Sequence, residues 1–164
     1  MPELQPLSFD HAPALLAFER ENRAYFAASV PDRGDRYFAH FDERHAALMA
    51  EQAAGACFFH VLVDGGGEVV GRVNLVDVAD GSAELGYRIA ERATGRGLAT
   101  AAVREARGLA VARYGLTALR AVTTLDNAGS RAVLARTGFV SVGDVDLDGR
   151  PGLRFVCNLL VETV

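Results

Sequence analysis

The segment TGRGLAT, residues 94–100, combines two glycines, an arginine and a threonine at the junction of two periodic runs. The preceding run AELGYRI alternates as a strand does, and the following run LATAAVREARGLAVARYG repeats with the period of a helix. The first amides of a helix have no intrahelical partners, and glycine lets an anion approach them closely. The segment therefore predicts a phosphate site, although a turn that requires positive φ angles explains two glycines equally well.

Two other phosphate-binding loops fit this segment poorly. A Walker A loop is excluded because no Gly-Lys-Ser or Gly-Lys-Thr follows the glycines. A Rossmann fingerprint requires glycine at the position where this chain has Thr100. It also requires an acidic residue at the tip of the next strand, and the candidate there, Asp126, comes about ten residues too late. The three strands predicted before the loop also form a meander, whereas a Rossmann domain would start with its first strand.

The elements that must position the loop are read from hydrophobic periodicity and turn residues. Helices are predicted over residues 10–23, 35–54, 98–114 and 128–137. Strands are predicted over residues 4–7, 56–64, 68–78, 83–89, 119–125, 139–146 and 153–161. The strand, helix, strand order around the loop implies a parallel pair joined by a crossover, so the fold class is α/β with a mixed sheet.

Composition narrows the class of protein. The 164 residues contain no repeat and no linker, so one domain spanning residues 1–164 is expected. A net charge of −4 argues against nucleic-acid binding, and the chain has neither a membrane-length apolar run nor a leader, so it is expected in the cytoplasm.

No metal site is expected. Cys57 and Cys157 lie in apolar runs without ligands at metal spacing, which favours buried reduced thiols. The run DVDLDG at 144–149 imitates the start of an EF-hand, but its twelfth position is Phe155 and Pro151 interrupts it, so Asp-Gly predicts a hairpin turn.

The runs ELGYRIAERATGRGLATAAVREA and TTLDNAGSRAVLARTGF together resemble the GCN5-related N-acetyltransferases, the GNAT family. The combination of GY in the strand, GRGLAT in the loop and N-x-x-S before GF is most similar to the RimJ/RimL branch. The resemblance extends to ENRAYF near the end of the first helix and covers most of the chain. It implies the GNAT fold, a mixed and mostly antiparallel sheet with a central splayed parallel strand pair, flanked by helices.

In this family the loop after the fourth strand holds the pyrophosphate of acetyl-CoA, so the resemblance implies acetyl-CoA as co-substrate. The family loop, Gln or Arg, two variable positions, Gly, one variable position, and Gly or Ala, maps onto Thr94 to Ala99, with Thr94 at the Gln or Arg position. A register that starts at Arg92 leaves the helix start too far downstream. The cofactor-binding residues implied by the resemblance are Ile89, Ala90, Glu91, Gly95, Arg96, Gly97, Leu98, Ala99, Thr100 and Asn127.

Glu84 is the candidate general base. It lies on one face of the predicted strand beside Gly86, which leaves room for a ligand. Deprotonation at pH 7 costs about 1 kcal/mol for an α-amine and about 4 to 5 kcal/mol for a lysine, so a carboxylate acting through water suffices for the α-amine. An ion pair of Glu84 with Arg88 or with a neighbouring strand is the alternative interpretation.

Asn127 and Ser130 follow the predicted strand 119–125, at the sheet edge where open α/β sheets bind ligands. Asn127 is also a natural helix N-cap, and Ser130 is either an ordinary first-turn residue or a hydrogen-bond partner of the departing thiolate. Many members of the family place a tyrosine acid four positions after this serine, where the chain has Leu134.

The sequence therefore predicts an acyl-CoA-dependent N-acyltransferase in which an amine attacks the thioester directly. The irregular segment 22–35 mixes Tyr25, Phe26 and Val30 with Asp32 and Asp35, which favours a peptide N-terminus or a small amine over a polycation. A homodimer is left open as the assembly. The rival hypothesis is an inactive acyl-CoA-binding module used for sensing or assembly.

Overall fold

A computed structural model describes residues 1–160, in which seven strands form one sheet in the order β1-β2-β3-β4-β5-β7-β6. The strands are β1 (Glu3–Pro6), β2 (Phe58–Val63), β3 (Val69–Ala79), β4 (Ser82–Ile89), β5 (Ala118–Thr124), β6 (Val140–Leu147) and β7 (Arg150–Asn158). Neighbouring strands pair antiparallel except β4 and β5, which are parallel. The predicted α/β class, with a mixed and mostly antiparallel sheet around a central parallel pair, is confirmed.

Helices pack against both faces of this sheet. They are α1 (Ala12–Glu21), α2 (Arg23–Ala27), α3 (Asp35–Ala39), α4 (Phe41–Ala53), α5 (Leu98–Ala112) and α6 (Ala128–Arg136). In α5, Ala102, Ala106 and Ala110 recur every four residues and are at most 2% exposed, so small side chains let the helix lie close to the sheet. None of the helices within residues 1–160 is long and apolar enough to span a membrane.

Two helix predictions differ from the structure. The helix predicted over 35–54 is broken at His40, whose φ of −116° and ψ of 32° lie outside the helical region. The break lets Phe41, at 4% exposure, reach the core, while Tyr37 on α3 packs beside it. Part of the segment predicted to be irregular, 22–35, forms α2.

The C-terminal hairpin turns at Asp148 and Gly149, whose φ angles of 52° and 83° are those of a tight two-residue turn. This confirms the Asp-Gly turn predicted in place of an EF-hand. The last strand, β7, starts at Arg150, three residues before the predicted start, and Val161 lies outside the described residues. Cys57 and Cys157 are both free thiols, with Cys157 buried and Cys57 half-buried.

Candidate active site

The parallel pairing of β4 with β5 covers only three residue pairs, Ser82–Glu84 against Ala118–Arg120. Beyond Glu84, β4 stays paired with β3 and β5 stays paired with β7, so β4 and β5 diverge and a gap opens between them. Gly86 lies beside this gap, is exposed, and has no atom within 4 Å of the position that a Cβ would occupy. The gap is therefore open to a ligand.

The end of β4 offers backbone groups to the gap. The Ala90 N–H donates to the Val70 carbonyl of β3 at 2.8 Å. In an antiparallel ladder, the N–H and C=O groups of one residue point toward the partner strand and those of the next residue point away from it. Because Ala90 bonds to β3, the N–H and C=O groups of Tyr87 and Ile89 point away from β3 and into the gap. The Glu91 N–H is bonded to the buried Asn22 side chain at 3.0 Å. Of the three candidates Ile89, Ala90 and Glu91, only Ile89 has both backbone groups directed into the gap.

The loop before α5 has the geometry of an uncapped helix start. Gly95 and Gly97 have φ of +77° and +73°, and α5 begins at Leu98 directly after Gly97, without a side-chain cap. The amides of Leu98, Ala99 and Thr100 therefore lack intrahelical partners and carry the positive end of the helix dipole. The helix start within a residue of Gly97 is confirmed. Because both φ angles are positive, the backbone alone also accounts for the glycines.

Side chains contribute little to this loop. The Thr94 hydroxyl donates to the Glu91 carbonyl at 2.8 Å and so stabilises the turn that precedes the loop. Arg96 is exposed, and its guanidinium donates to the Arg92 carbonyl at 3.2 Å. An anion held here is bound mainly by backbone amides.

A hydrogen bond crosses the gap from β4 to α6. The Tyr87 hydroxyl donates to Ser130 Oγ at 3.2 Å. Burial raises the pKa of Tyr87, and the bond to Ser130 offsets only part of this increase. Leu134, at the usual position of the family's tyrosine, is 1% exposed and belongs to the core. The phenol near the gap thus comes from β4, where the alternation of the strand carries no sign of its hydrogen bond.

Asn127 is the N-cap of α6. Its Oδ1 accepts the Ser130 N–H at 3.1 Å, which leaves the side-chain Nδ2 without a partner among the described residues. Asn127 and Ser130 therefore lie together at the carboxyl end of β5, as the sequence indicates, and the capping role of Asn127 is compatible with a second contact through Nδ2.

Glu84 lies on the opposite face of β4 from Tyr87. Its ladder partners are Val76 on β3 and Arg120 on β5. Arg120 donates to Ser82 Oγ at 3.0 Å, and Arg88 lies 3.6 Å from Glu19. Neither arginine forms the ion pair that was the alternative interpretation of Glu84, so this carboxylate has no cation partner among residues 1–160.

The acidic and apolar side chains of segment 22–35 are partly used in contacts within the protein. Arg23 bonds to both Asp32 and Asp35, at 2.8 and 2.9 Å, and its bond to Asp32 lowers the pKa of that carboxyl to about 2. Phe26 is 8% exposed and packs on Phe18 in the core. Arg23 therefore offsets one of the two negative charges of the segment. Phe26 is structural, whereas Tyr25 and Val30 are 38% and 40% exposed.

The chain matches the family of acetyltransferase (GNAT) domains over residues 3–140. No curated protein matches the sequence. Its fold is similar to that of RimJ from Mycobacterium smegmatis in complex with CoA-disulfide, with a TM-score of 0.84, 26% identity, and coverage of 94% of this chain and 80% of that one.

Two other solved structures share the fold at lower identity. The ribosomal-protein-S5-alanine acetyltransferase from Vibrio fischeri gives a TM-score of 0.90 at 19% identity, covering 97% of this chain and 93% of that one. The spermidine N-acetyltransferase from Vibrio cholerae, in complex with CoA and spermine, gives 0.78 at 18% identity, covering 96% and 95%. Proteins with this fold thus include enzymes named for protein acceptors and for polyamine acceptors.

Proposed function

We propose that this chain, which belongs to the GNAT acetyltransferase family, transfers the acetyl group of acetyl-CoA to the α-amine of a peptide or to a small primary amine. Membership of the family makes it an acyl-CoA-dependent N-acetyltransferase. The acceptor and the residue roles are the proposed part. The observation that carries the proposal is the placement of Glu84 and the Tyr87–Ser130 pair on opposite faces of one gap, beside an uncapped helix start.

The donor side of the reaction uses backbone groups. The amides of Leu98, Ala99 and Thr100 bind the pyrophosphate, with Arg96 adding a charge at the loop surface. Ile89 and Asn127 Nδ2 bond to the pantetheine arm from the two sides of the gap. Acetyl-CoA, when bound, supplies the activated carbonyl carbon of its thioester.

Acid and base act from opposite faces of the sheet. The amine enters from the Glu84 face and loses one proton to the carboxylate through water, then attacks the carbonyl carbon. As the C–S bond breaks, the sulfur leaves as a thiolate with the bonding electrons, and the nitrogen gives its second proton to solvent. The leaving sulfur lies toward the other face, where it replaces Ser130 Oγ as the acceptor of the Tyr87 O–H and also accepts a hydrogen bond from the Ser130 hydroxyl. Since burial raises the pKa of Tyr87, its phenol stays protonated and acts as a hydrogen-bond donor without transferring the proton.

The cost of deprotonation favours an α-amine over a lysine, by about 3 to 4 kcal/mol at pH 7. Two matched lysine-containing peptides, one with a free and one with an acetylated N-terminus, test this preference by mass spectrometry. We expect the free peptide to react and the blocked peptide to remain unmodified; equal turnover of the two would eliminate α-amine selectivity. The enzyme itself contains only arginine among its 17 Lys and Arg residues, so acetyl-lysine in the assay comes from the peptide.

Release of free CoA separates this proposal from an inactive acyl-CoA-binding module. Incubation with acetyl-CoA and a pool of amines should liberate thiol well above the rate without amine. A protein that binds CoA by calorimetry yet releases none with any amine would be the binding module instead.

A further inference from the structure

A cluster of arginines surrounds one buried carboxylate on the Glu84 face of the sheet. Glu19 of α1 is 1% exposed and accepts a hydrogen bond from Arg33 Nε at 2.6 Å. Arg72 of β3 and Arg88 of β4 also approach it, with NH1 atoms at 3.5 and 3.6 Å. Three cations therefore share a single anion, and the cluster has two positive charges in excess.

The excess charge is poorly compensated. Arg72 is 4% exposed, and neither its Nε nor Glu19 Oε1, which lies 3.5 Å from Arg72 NH1, has a hydrogen-bond partner among the described residues. The pKa of Arg88 is lowered, first by burial and then by repulsion from Arg33, with Arg72 contributing in the same direction. A buried donor without a partner and crowded like charges are both unfavourable, so the cluster is suited to binding one more anion.

Two arginines of the cluster, Arg33 and Arg72, line a cavity of about 280 Å³ between the sheet and helices α3 and α4. This is far above the roughly 10–15 Å³ that a water molecule requires. Arg33, Arg72 and the Tyr37 phenol line one part of it, and Asn74 and Val76 continue its wall along β3. Arg44 also lines the cavity, as do two carboxylates, Glu51 and Asp77, so three cations and two anions face it. An almost fully buried guanidinium, whose Nε has no hydrogen-bond partner among the described residues, therefore lines a cavity of ligand size.

The β3–β4 ladder connects this cavity with the proposed catalytic base. Arg72 pairs with Arg88, Asn74 with Gly86, and Val76 with Glu84, so the three pairs form successive rows on one face. Adjacent rows are about 7 Å apart along a strand. The middle row has no side chain on β4, and the space above Gly86 is open. A small molecule lying over Gly86 can place one end toward the arginines and the other toward Glu84.

We propose that the acceptor amine carries a carboxylate, which binds to Arg33, Arg72 and Arg88 while the amine lies beside Glu84. This inference rests on the acetyl transfer proposed above and names the class of its acceptor. A carboxylate matches the planar guanidinium donors, as the Arg33–Glu19 contact already illustrates. Polyamines, which bring only positive charge, are excluded as good substrates.

Matched acceptor pairs test the proposal and distinguish two sources of the carboxylate. The small-molecule pair is alanine and alaninamide, and the peptide pair is Ala-Asp-amide and Ala-Asn-amide. We expect kcat/KM to be about tenfold or more higher for the carboxylate member of at least one pair. A gain of this size is what hydrogen bonds between charged groups typically contribute to binding. Amidation of alanine lowers the pKa of its amine and thus favours the amide, so a preference for alanine is attributable to the carboxylate.

Two variants locate the effect. Arg88→Gln and Arg33→Gln, whose side chains are 23% and 28% exposed, should abolish most of the preference for the carboxylate member without changing CoA affinity. Arg20→Gln, which removes an exposed charge from the same helix as Glu19, is the matched control and should keep the preference. Thermal unfolding verifies that each variant is folded.

The outcomes separate this inference from the proposed function. Thiol release with equal rates for acid and amide, or an equal loss for both in Arg88→Gln, would overturn the carboxylate site and leave acetyl transfer intact. If no amine releases thiol, acetyl transfer fails, and calorimetry of CoA-saturated protein with the same pairs still decides the site. Equal binding of both members of each pair would then overturn it.

Discussion

The two sides of β4 present charge by different means. On the proposed donor side, the partial charges of backbone amides at the start of α5 make up the candidate anion site, and the nearby side chains are exposed or bonded to the turn. On the acceptor side, full charges on Glu19, Arg33, Arg72 and Arg88 are brought together from separate segments. The donor side therefore depends on backbone conformation and the acceptor side on individual side chains, and substitutions should affect the two sides differently.

The largest expected effect is on the donor side. Gly97→Asp places a carboxylate at the helix start and a side chain at a φ of +73°, and we expect CoA affinity to fall by about a hundredfold or more. Gly67→Asp is the matched control, because Gly67 has a φ of +79° and equally open space but lies in the β2–β3 turn. Calorimetry showing the same CoA affinity in folded Gly97→Asp and Gly67→Asp proteins would contradict the backbone site.

Glu84→Gln tests the other side of the strand. We expect kcat to fall by about a hundredfold, within the usual range for a general base, while CoA affinity changes little because the donor contacts are intact. Steady-state kinetics at several pH values measures this, with exposed Glu105→Gln on α5 as the control. A wild-type rate for Glu84→Gln from pH 6 to 9 would mean that solvent deprotonates the amine.

The Tyr87–Ser130 pair should give a smaller effect. Removal of the phenol in Tyr87→Phe is expected to lower kcat by about two- to tenfold, as for one hydrogen bond, and Ser130→Ala less. Because the two hydroxyls are bonded, the double variant should lose less than the product of the single losses. Burial raises the pKa of Tyr87 above its usual value near 10, so the rate should show no loss from its ionisation between pH 6 and 9. Independent, multiplicative losses would show that the residues do not act together.

The smallest expected effect is on the pH dependence of the free energy of unfolding. It should differ between a buried histidine, His60, and an exposed one, His40. His60 is 1% exposed, its Nδ1 donates to the Val73 carbonyl, and burial lowers its pKa. Its neutral form therefore stabilises the fold above pH 6.5, and this contribution is lost as the pH falls below 6.5, where the unfolded chain takes up the proton.

Urea unfolding at pH 7.5 and 5.5 measures this loss, which is at most about 1.4 kcal/mol per pH unit. His60→Gln should reduce the difference between the two pH values. His40→Gln, at an exposed position between α3 and α4, should leave it unchanged. If both variants behave alike, the dependence arises elsewhere.

The donor side was largely predictable because its residues are contiguous. Gly95, Gly97 and the apolar period after them specify a turn and a helix start through local rules, and Asn127 and Ser130 follow one strand. Tyr87 has no local signal in the strand pattern, because its hydroxyl acquires a partner only when α6 packs across the gap. The arginine cluster has no local signal, since each arginine by itself is typical of a solvated surface. The break at His40 likewise interrupts a helical period that continues in the sequence on both sides.

The short β4–β5 ladder has a consequence for stability if the donor binds as proposed. Three residue pairs connect β4 and β5, and in the proposed complex the amides of the donor bond to the strand edges beyond them. A bound donor then connects the two parts of the sheet as an additional strand would. The free energy of unfolding should therefore increase with donor concentration by RT ln(1 + [L]/Kd), and the midpoint of unfolding should rise with it. The resistance of this enzyme to unfolding, and hence to proteolysis, is thereby tied to the supply of acyl donor around it.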